Sequence, residues 1–526
     1  MAINKFYWRR TSIAAALMLV ASTPTIAYDT PEPAQMSGLG EWTTDPVFTI
    51  GETIDGYTPP GIPDGMGAFE RENTVVIVST HELRASQGYA YQLASGVDLT
   101  GARISALMFD KVTRDLMTMG PAYDTIYNRA GNSVDLVNGL DTVASEGLHR
   151  LCSAGSVVAG QAGFVDDALL TGEETNGGTG FALDIEAGEL WALPAMGRAG
   201  WESATALNIP GFNDTHVAIL IGDDRGDAAL LLYVGKKQSD GNFIERNGLA
   251  NGTLYMWVAN DGSLSPADWN GTGTSRSGKF VAVENYNAAQ AGTANFDHLG
   301  FATQAYLDSQ KGSIGAFNFS RPEDVHTNPA PGKGNQIVFA STGRNTSINQ
   351  GADLWGTTYV VDVKINLGRI QVDNITADIS IVYDGDDAGK QDFGIRSPDN
   401  LVWAKDGMVY IQEDRSISTF GAASDEETSI WKLNPKTSAV ERIGQIDRTA
   451  VPAGQVDSSP SDLGNWESSG IIDVTDEFNA EGERVLFFNT QAHSVGEGTI
   501  ETENLVQGGQ YLFISKPEVK GKGNKK

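Results

Sequence analysis

The sequence predicts an all-β protein, a six-bladed β-propeller with small helical or loop insertions. Three observations lead to this prediction: helical periodicity is scarce, the chain holds 61 glycines, and one strand pattern recurs along its length. Short β-branched or aromatic runs are separated by residue pairs that favour tight hairpin turns. These pairs include Asp240-Gly241, Asn251-Gly252, Asp261-Gly262 and Asp406-Gly407.

Each copy of the recurring pattern is an apolar strand that runs directly into a small polar cluster. The clusters are His81-Glu82, Glu173-Glu174, Asp223-Asp224, Thr342-Gly343-Arg344, Glu413-Asp414 and Gln491-Ala492-His493. A second polar signal precedes all but the first of them: Cys152, Trp201-Glu202, Arg321-Pro322-Glu323, Ser397-Pro398-Asp399-Asn400 and Trp466-Glu467. Repeats that present polar residues at one place are typical of blades around an axis. Acids are also common at strand ends simply because turns begin there. However, Asp and Glu are depleted from strands unless something holds them there.

The chain divides into three parts. Residues 1–27 place basic residues before a short apolar stretch, as in a secretory signal peptide. The pair Arg9-Arg10 also fits a twin-arginine signal loosely, so both export routes stay open. Residues 28–515 are expected to form one propeller domain, in which the long segment 242–310 carries inserted helices or a lid. Residues 516–526 are lysine-rich and predict a disordered tail.

The charge of the chain bears on its partners. The formal net charge is −30, and such a surface repels nucleic acid and anionic membranes but attracts divalent cations. No stretch beyond the signal peptide is long and apolar enough for a membrane helix. We therefore expect an exported monomer, periplasmic or extracellular. It should not bind nucleic acid and should have no membrane span.

The acids at the strand ends predict a metal site. Calcium takes about six to eight oxygen ligands, which carboxylates converging on an axis can supply. Adjacent acids such as Glu173-Glu174 would repel each other in a confined site, and a bound cation relieves this repulsion. Cys152 is the one cysteine of the sequence. From composition alone it is either a buried apolar residue, or a metal ligand or nucleophile.

Several of these segments together resemble the PhoX-type alkaline phosphatases. The resemblance begins with His149-Arg150-Leu151-Cys152-Ser153 and Leu170-Thr171-Gly172-Glu173-Glu174, which are similar to the family's cysteine and double-glutamate motif. It continues in the same order with Gly197-Arg198 and Glu202, Arg321-Pro322-Glu323, Pro398-Asp399-Asn400-Leu401 with Glu413-Asp414, and Gln491 with His493. His81-Glu82 is similar to the family's first acidic strand end. Each motif is weak alone, but their common order is specific.

The resemblance implies a six-bladed propeller with two irons and several calcium ions in its central funnel. It implies that Cys152 is an iron ligand and that Glu202 and Glu323 complete the iron site. The calcium ligands that it implies are Glu173, Glu174, Asp399, Asn400, Glu413 and Asp414. Arg321 would bind the phosphate, since a guanidinium fork matches two phosphate oxygens and stays charged at high pH.

The sequence thus predicts an exported metal-dependent alkaline phosphatase that acts on a small phosphorylated substrate. One alternative is a calcium-only propeller hydrolase for lactones, phosphotriesters or phytate, which needs neither Cys152 nor iron. Another is a secreted binding propeller in which calcium only stabilises the blades. His81, His149 and His493 are either general acids or structural residues beside metals. A serine hydrolase has no support, because no Gly-x-Ser-x-Gly segment is present.

Overall fold

The computed structural model of the protein describes residues 27–365 and 374–518. The predicted signal peptide therefore lies outside the described residues except for its last position, and the predicted tail lies outside them after residue 518. None of the helices in the described ranges combines the length and the apolar character needed to span a membrane.

Strands make up most of the regular structure and are numbered in chain order. Those before residue 160 are β1 (Met36–Gly38), β2 (Thr43–Thr49), β3 (Pro63–Glu70), β4 (Thr74–His81), β5 (Tyr91–Gln92), β6 (Asp98–Gly101), β7 (Arg103–Asp110), β8 (Leu116–Pro121), β9 (Thr125–Tyr127), β10 (Gly147–Leu148) and β11 (Gly155–Val157). Those between residues 160 and 300 are β12 (Ala168–Gly172), β13 (Gly178–Asp184), β14 (Glu189–Ala192), β15 (Arg198–Ala199), β16 (Trp201–Ala206), β17 (His216–Asp223), β18 (Leu231–Lys236), β19 (Gly252–Ala259) and β20 (Ser275–Val283). The remaining strands are β21 (Pro322–Thr327), β22 (Gln336–Ser341), β23 (Thr357–Lys364), β24 (Thr376–Asp384), β25 (Pro398–Trp403), β26 (Val409–Glu413), β27 (Ser429–Leu433), β28 (Val440–Ile446), β29 (Trp466–Asp473), β30 (Glu483–Ala492) and β31 (Gly508–Pro517).

The helices are short, and two of them lie at the predicted insertion 242–310. They are α1 (Phe243–Arg246), α2 (Gln304–Ile314) and α3 (Thr499–Thr502), with 3-10 turns at Pro194–Met196, Ala288–Gln290 and Gln391–Phe393. Helix α2 begins where the Thr303 hydroxyl accepts a hydrogen bond from the Tyr306 amide, and ends at Gly315, whose φ is 67°. A left-handed glycine there terminates the helix without steric cost.

The strands form groups of antiparallel neighbours in chain order. The groups are β3-β4-β7-β8, β11-β12-β13-β14, β16-β17-β18-β19, β21-β22-β23-β24, β25-β26-β27-β28 and β29-β30-β31. Strand β20 pairs with both β19 and β24, so the third and fourth groups form one continuous sheet. The N-terminal strands complete the last two groups, since β1 pairs with β28 and β2 with β31.

The first strands of these groups form a closed ring. Contacts run from β3 to β11, then through β16, β21, β25 and β29, and return from β29 to β3. Sheets arranged around an axis in this way define a β-propeller, so the predicted fold class is confirmed. The number of six blades stays a prediction, supported by the number of strand groups in the ring.

Hydrophobic side chains fill the spaces between neighbouring groups. Val338 and Ala340 of β22, for example, belong to the same buried cluster as Leu401 of β25 and Ile411 of β26. Burying one such side chain contributes about 1.5–3 kcal/mol to folding. These contacts fix the tilt of each sheet, and therefore where the inner ends of its strands meet at the axis.

Candidate metal centre

A repeated strand register positions the polar residues at the axis. In each group, a residue at the start of the first strand, or just before it, pairs with one at the end of the second strand. The pairs are Pro63 with His81, Leu151 with Glu173, Trp201 with Asp223, Pro322 with Ser341, Pro398 with Glu413, and Trp466 with Ala492. The residue that follows each member of a pair in the sequence then occupies an equivalent place in every group.

These next residues form two sets. The first-strand set comprises Asp64, Cys152, Glu202, Glu323, Asp399 and Glu467. The second-strand set comprises Glu82, Glu174, Asp224, Thr342, Asp414 and His493. Successive side chains in a strand point to opposite faces, so a pairing residue such as Trp201 packs into the core while its neighbour Glu202 faces the axis.

A β-bulge follows the first-strand set in most groups. The register shifts between Pro63 and Met66 and between Trp201 and Ala204, with equivalent shifts in β21 and β25, whereas the shift in β29 lies later, between Ser469 and Ile471. A bulge changes the direction of the side chains beside it. The repeated bulge therefore explains how acids from separate strands point towards one place.

Members of both sets form one continuous cluster. Ligand atoms lie within 4.8 Å of one another in each of three groups: Asp64 with Glu82 and Cys152, Cys152 with Glu174 and Glu202, and Glu202 with Asp224 and Glu323. Because the groups share Cys152 and Glu202, seven residues from four strand groups are linked. The Cys152 thiol donates to Asp64 Oδ2 at 3.2 Å.

Burial and like charge strongly perturb the acids of the cluster. Burial, followed by the charges of Asp399 and Glu323, raises the pKa of Glu202 well above its usual range. Burial and the nearby Glu82 raise the pKa of Asp64 to about 7. Both effects disfavour the ionised carboxylate. A cation at the cluster would relieve this unfavourable state.

The acids of the fifth and sixth groups belong to the same electrostatic site. Burial and the charges of Glu467 and Asp414 raise the pKa of Asp399 well above its usual range. Burial raises the pKa of Asp414, and the positive charges of Arg321 and His493 oppose this rise. His493 Nε2 lies 3.2 Å from Glu467 Oε2, and its Nδ1 lies 2.7 Å from Gln507 Oε1.

Two arginines contact the second-strand set. Arg321 donates from Nε to Asp224 Oδ1 at 2.6 Å and from Nη2 to Asp224 Oδ2 at 2.8 Å. Burial acts to raise the pKa of Asp224, but the Arg321 guanidinium outweighs it and the pKa lies below its usual range. Arg150 Nη2 lies 2.6 Å from Glu82 Oε1 and 2.5 Å from Glu174 Oε2.

The donor set fits metal ions. Glu202 Oε1 is buried without a hydrogen-bond partner among the described residues, although an isolated buried carboxylate oxygen is costly. Carboxylate oxygens suit calcium, whereas a thiolate such as that of Cys152 selects a transition metal. The cluster therefore offers ligands for both kinds of metal.

The structure brings most of the predicted site residues together. Cys152, Glu174, Glu202 and Glu323 lie in the cluster, and Arg321 binds its member Asp224. Asp399 and Asp414 interact electrostatically with these residues.

The other three predicted ligands use their side chains in contacts within the protein. Glu173 accepts hydrogen bonds from the backbone amides of His149 and Thr179. Glu413 pairs with Arg396 at 2.9 Å and accepts from Trp431 Nε1. Asn400 donates from Nδ2 to Asp64 Oδ1 at 3.0 Å, so it holds a cluster residue in place.

Sequence reasoning assigned no metal-binding role to several residues of the site. These are Asp64, Glu82, Arg150, Asp224, Glu467 and His493. Glu82 and Asp224 stand second in strand-end pairs, as Glu174 and Asp414 do, and Trp466-Glu467 repeats Trp201-Glu202. Pro63-Asp64 repeats Pro398-Asp399, which was the available signal for Asp64.

Comparisons with known proteins identify the family of the chain and support its fold. The family described as alkaline phosphatase PhoX matches residues 186–454. The chain is similar to the solved structure of Pseudomonas fluorescens PhoX in complex with vanadate, a transition state analogue. In that comparison the TM-score is 0.61 and the identity 16%, over 94% of this chain and 98% of the other. At this identity the likeness concerns the fold.

A thermostable family-43 glycoside hydrolase is a more distant structural match. Its TM-score is 0.32 at 10% identity, over 76% of this chain and 98% of that one. No curated protein matches the sequence.

Proposed function

Since the chain belongs to the alkaline phosphatase PhoX family, we propose that it is exported and releases phosphate from small organic phosphomonoesters at the candidate metal centre. The family assignment makes the chain a phosphoric monoester hydrolase, and it confirms the resemblance predicted from the sequence. It favours a phosphatase over a lactonase or a binding propeller. The observation that carries the proposal is the buried cluster of acids around Cys152, with Arg321 beside it.

We assign the metal-binding role to residues of the cluster and to Asp399 and Asp414, which interact with it electrostatically. Cys152, Glu202 and Glu323 would hold iron, because a thiolate is a poor calcium ligand. Glu174, Asp399 and Asp414 would hold calcium, together with Glu82 and Asp224 of the same second-strand set. Glu173 and Glu413 are left out, because each is a pairing residue of the strand register and belongs to neither axial set; Glu173 accepts from backbone amides, and Glu413 pairs with Arg396.

The role of Arg321 follows from the charge that develops during hydrolysis. Phosphate release builds negative charge on the equatorial oxygens and on the leaving oxygen, and bound metal ions supply Lewis-acid stabilisation for it. Arg321 adds a positive charge that Asp224 holds in one orientation through two hydrogen bonds. Because the guanidinium is already oriented, it stabilises the transition state without reorganisation.

Metal analysis of the purified protein tests this proposal most directly. Mature protein purified without a metal-chelating tag should contain both iron and calcium and should hydrolyse p-nitrophenyl phosphate at alkaline pH. Active protein that contains calcium but no iron would support the calcium-only alternative. Protein that holds both metals but releases no phosphate from any monoester would contradict the proposed activity.

Localisation and oligomeric state complete the proposal. The basic and apolar residues at the start of the chain support export, either periplasmic or extracellular. The family implies a small-molecule substrate, and we propose that the protein acts as a monomer. Fractionation of expressing cells and light scattering of the purified protein check these two points.

A further inference from the structure

Arg150 and Arg321 occupy the same position of the repeat. Arg150 stands two residues before Cys152, and Arg321 stands two residues before Glu323. The carbonyl oxygen of Arg150 accepts from the Glu174 amide at 2.8 Å, and that of Arg321 accepts from the Thr342 amide at 3.1 Å. The two side chains therefore leave the backbone at equivalent points around the axis.

The backbone alone does not explain an arginine at this position. The equivalent carbonyls of Ile62, Gly200 and Ser397 accept the same type of hydrogen bond. The φ angle is 47° at Arg150, 52° at Ile62 and 45° at Ser397, in the left-handed region that favours glycine. Ile62 and Ser397 adopt this conformation with quite different side chains, so the backbone does not require an arginine at position 150.

The two guanidinium groups are held in the same way. Arg150 directs Nε and Nη2 at Glu82 Oε1, as Arg321 directs Nε and Nη2 at Asp224. Within residues 27–365 and 374–518, Nη1 of neither arginine donates a hydrogen bond to the protein. Each arginine thus keeps one NH₂ group, with two N–H donors, for another acceptor.

The two arginines flank one pair of acids. Arg150 contacts Glu174, Glu174 and Asp224 each lie beside Glu202 in the cluster, and Asp224 holds Arg321. The Arg150 side chain is 35% exposed and the Arg321 side chain 13% exposed. An anion that enters the site can therefore reach Arg150 from solvent.

Arg396 shows what a structural arginine looks like in this fold. Its side chain is fully buried, and Nε, Nη1 and Nη2 all donate to protein acceptors, which include Asp392, Ser424 and Glu413. An arginine that only neutralises acids therefore does not need an unused N–H group. The unused Nη1 of Arg150 distinguishes it from such a residue.

We propose that Arg150 binds the substrate phosphoryl group together with Arg321 and selects phosphomonoesters over phosphodiesters. Above a pH of about 7 a monoester carries close to two negative charges, since its second pKa is about 6. A diester carries one. Two guanidinium groups on the same phosphoryl group favour the doubly charged ligand, and a charge-assisted hydrogen bond is lost when one of them is removed. This inference rests on the proposed phosphatase function.

The test compares Arg150→Gln, Arg150→Lys and wild-type holoenzyme. The substrates are p-nitrophenyl phosphate and bis(p-nitrophenyl) phosphate, and calorimetry measures the affinity for inorganic phosphate. For Arg150→Gln we expect kcat/KM for the monoester and the phosphate affinity to fall about tenfold to a hundredfold. The diester should lose less, so that the monoester-to-diester ratio falls, while metal content stays unchanged. Arg150→Lys should lie between, because lysine keeps the charge but not the fork.

Arg84→Gln is the matched control. Arg84 is exposed, follows Glu82 by two residues, and has no ion pair in the described part of the chain. Its removal changes the net charge as Arg150→Gln does, so a purely long-range effect would appear in both variants. We expect Arg84→Gln to leave the monoester-to-diester ratio unchanged.

Three outcomes would overturn the inference. In the first, Arg150→Gln keeps the wild-type phosphate affinity and substrate ratio. In the second, activity towards both esters falls in proportion to metal loss, which is the result expected if Arg150 only neutralises Glu82 and Glu174. In the third, Arg84→Gln reproduces the change of ratio. If Arg150→Gln is insoluble, Arg150→Lys is judged by the same criteria. A wild-type protein that hydrolyses neither ester would instead refute the proposed function, whereas phosphate binding would still test Arg150.

Discussion

Adjacent residues at the strand ends have opposite roles. Glu413 is fully buried against Arg396 and Trp431, whereas Asp414, the next residue, interacts with Arg321 and His493 at the axis. The same division separates Glu173 from Glu174. One residue of each pair stabilises a sheet, and its neighbour belongs to the candidate metal centre.

Paired substitutions separate these two roles. Glu413→Gln removes the charge opposite buried Arg396, and breaking a buried ion pair costs about 3–5 kcal/mol. Asp414→Asn removes one of several repelling charges, so in EGTA, where no bound calcium contributes, it should leave stability nearly unchanged, and in calcium it should lower calcium content and activity. Urea unfolding and metal analysis of both variants check this prediction. Equal destabilisation by the two substitutions would contradict it.

Even the conservative substitution of Arg321 by lysine should lower the activity. Lysine keeps the positive charge but cannot form the paired hydrogen bonds to Asp224 or present a planar fork to phosphate. We expect Arg321→Lys to lower kcat about 10²–10³-fold, the loss typical of removing one transition-state donor. Steady-state kinetics with p-nitrophenyl phosphate, at verified metal content, measure the effect. Wild-type kcat in this variant would refute a catalytic role for Arg321.

The sulfur atom of Cys152 distinguishes a site that holds iron and calcium from a site that holds calcium only. Cys152→Ser replaces the thiol with a hydroxyl, which is a poor ligand for iron but leaves the surrounding carboxylates in place. We expect loss of iron and of most activity, with calcium largely retained. Elemental analysis together with the activity assay checks this. Full iron content in the serine variant would show that the thiol is not a ligand.

At the scale of elements, strand pairing decides what the sequence could reveal. The strand-end acids are visible in the sequence because apolar runs lead directly into them. Which acid of Glu173-Glu174 faces the axis depends on the register with Leu151, because a shift of one residue turns a side chain to the other face. Asp64 was missed because its proline-acid pair stands apart from any strand-end cluster in the sequence. Long-range register, unlike local composition, cannot be obtained from one strand alone.

Strand β2 should matter more for stability than its position near the N-terminus suggests. It covers the outer edge of β31, and its Phe48 is fully buried in the core shared with the last group. Phe48→Ala should therefore destabilise the protein by about 3–5 kcal/mol. Val112, which is 89% exposed, provides the control, since Val112→Ala should have little effect. Similar urea midpoints for both variants would contradict this role of β2 in the last sheet.

At the scale of the whole molecule, the candidate metal centre draws residues from all the strand groups. Acids from separate groups meet at the axis, and in the absence of cations their mutual repulsion opposes closure of the ring. Cations that bind only the folded state stabilise it by mass action. We therefore expect EGTA to lower both the melting temperature and the activity, and added calcium to restore both. Unchanged activity after exhaustive chelation would contradict a metal-dependent centre.

The pairing of β2 with β31 also sets a limit on when the protein can fold. Strand β2 (Thr43–Thr49) is translated long before β31 (Gly508–Pro517). The last sheet cannot be completed until β31 has also been translated, and a chain terminated before β31 would keep the edges of β2 and β30 unpaired, which invites aggregation. Protection of these two edges therefore depends on translation through β31.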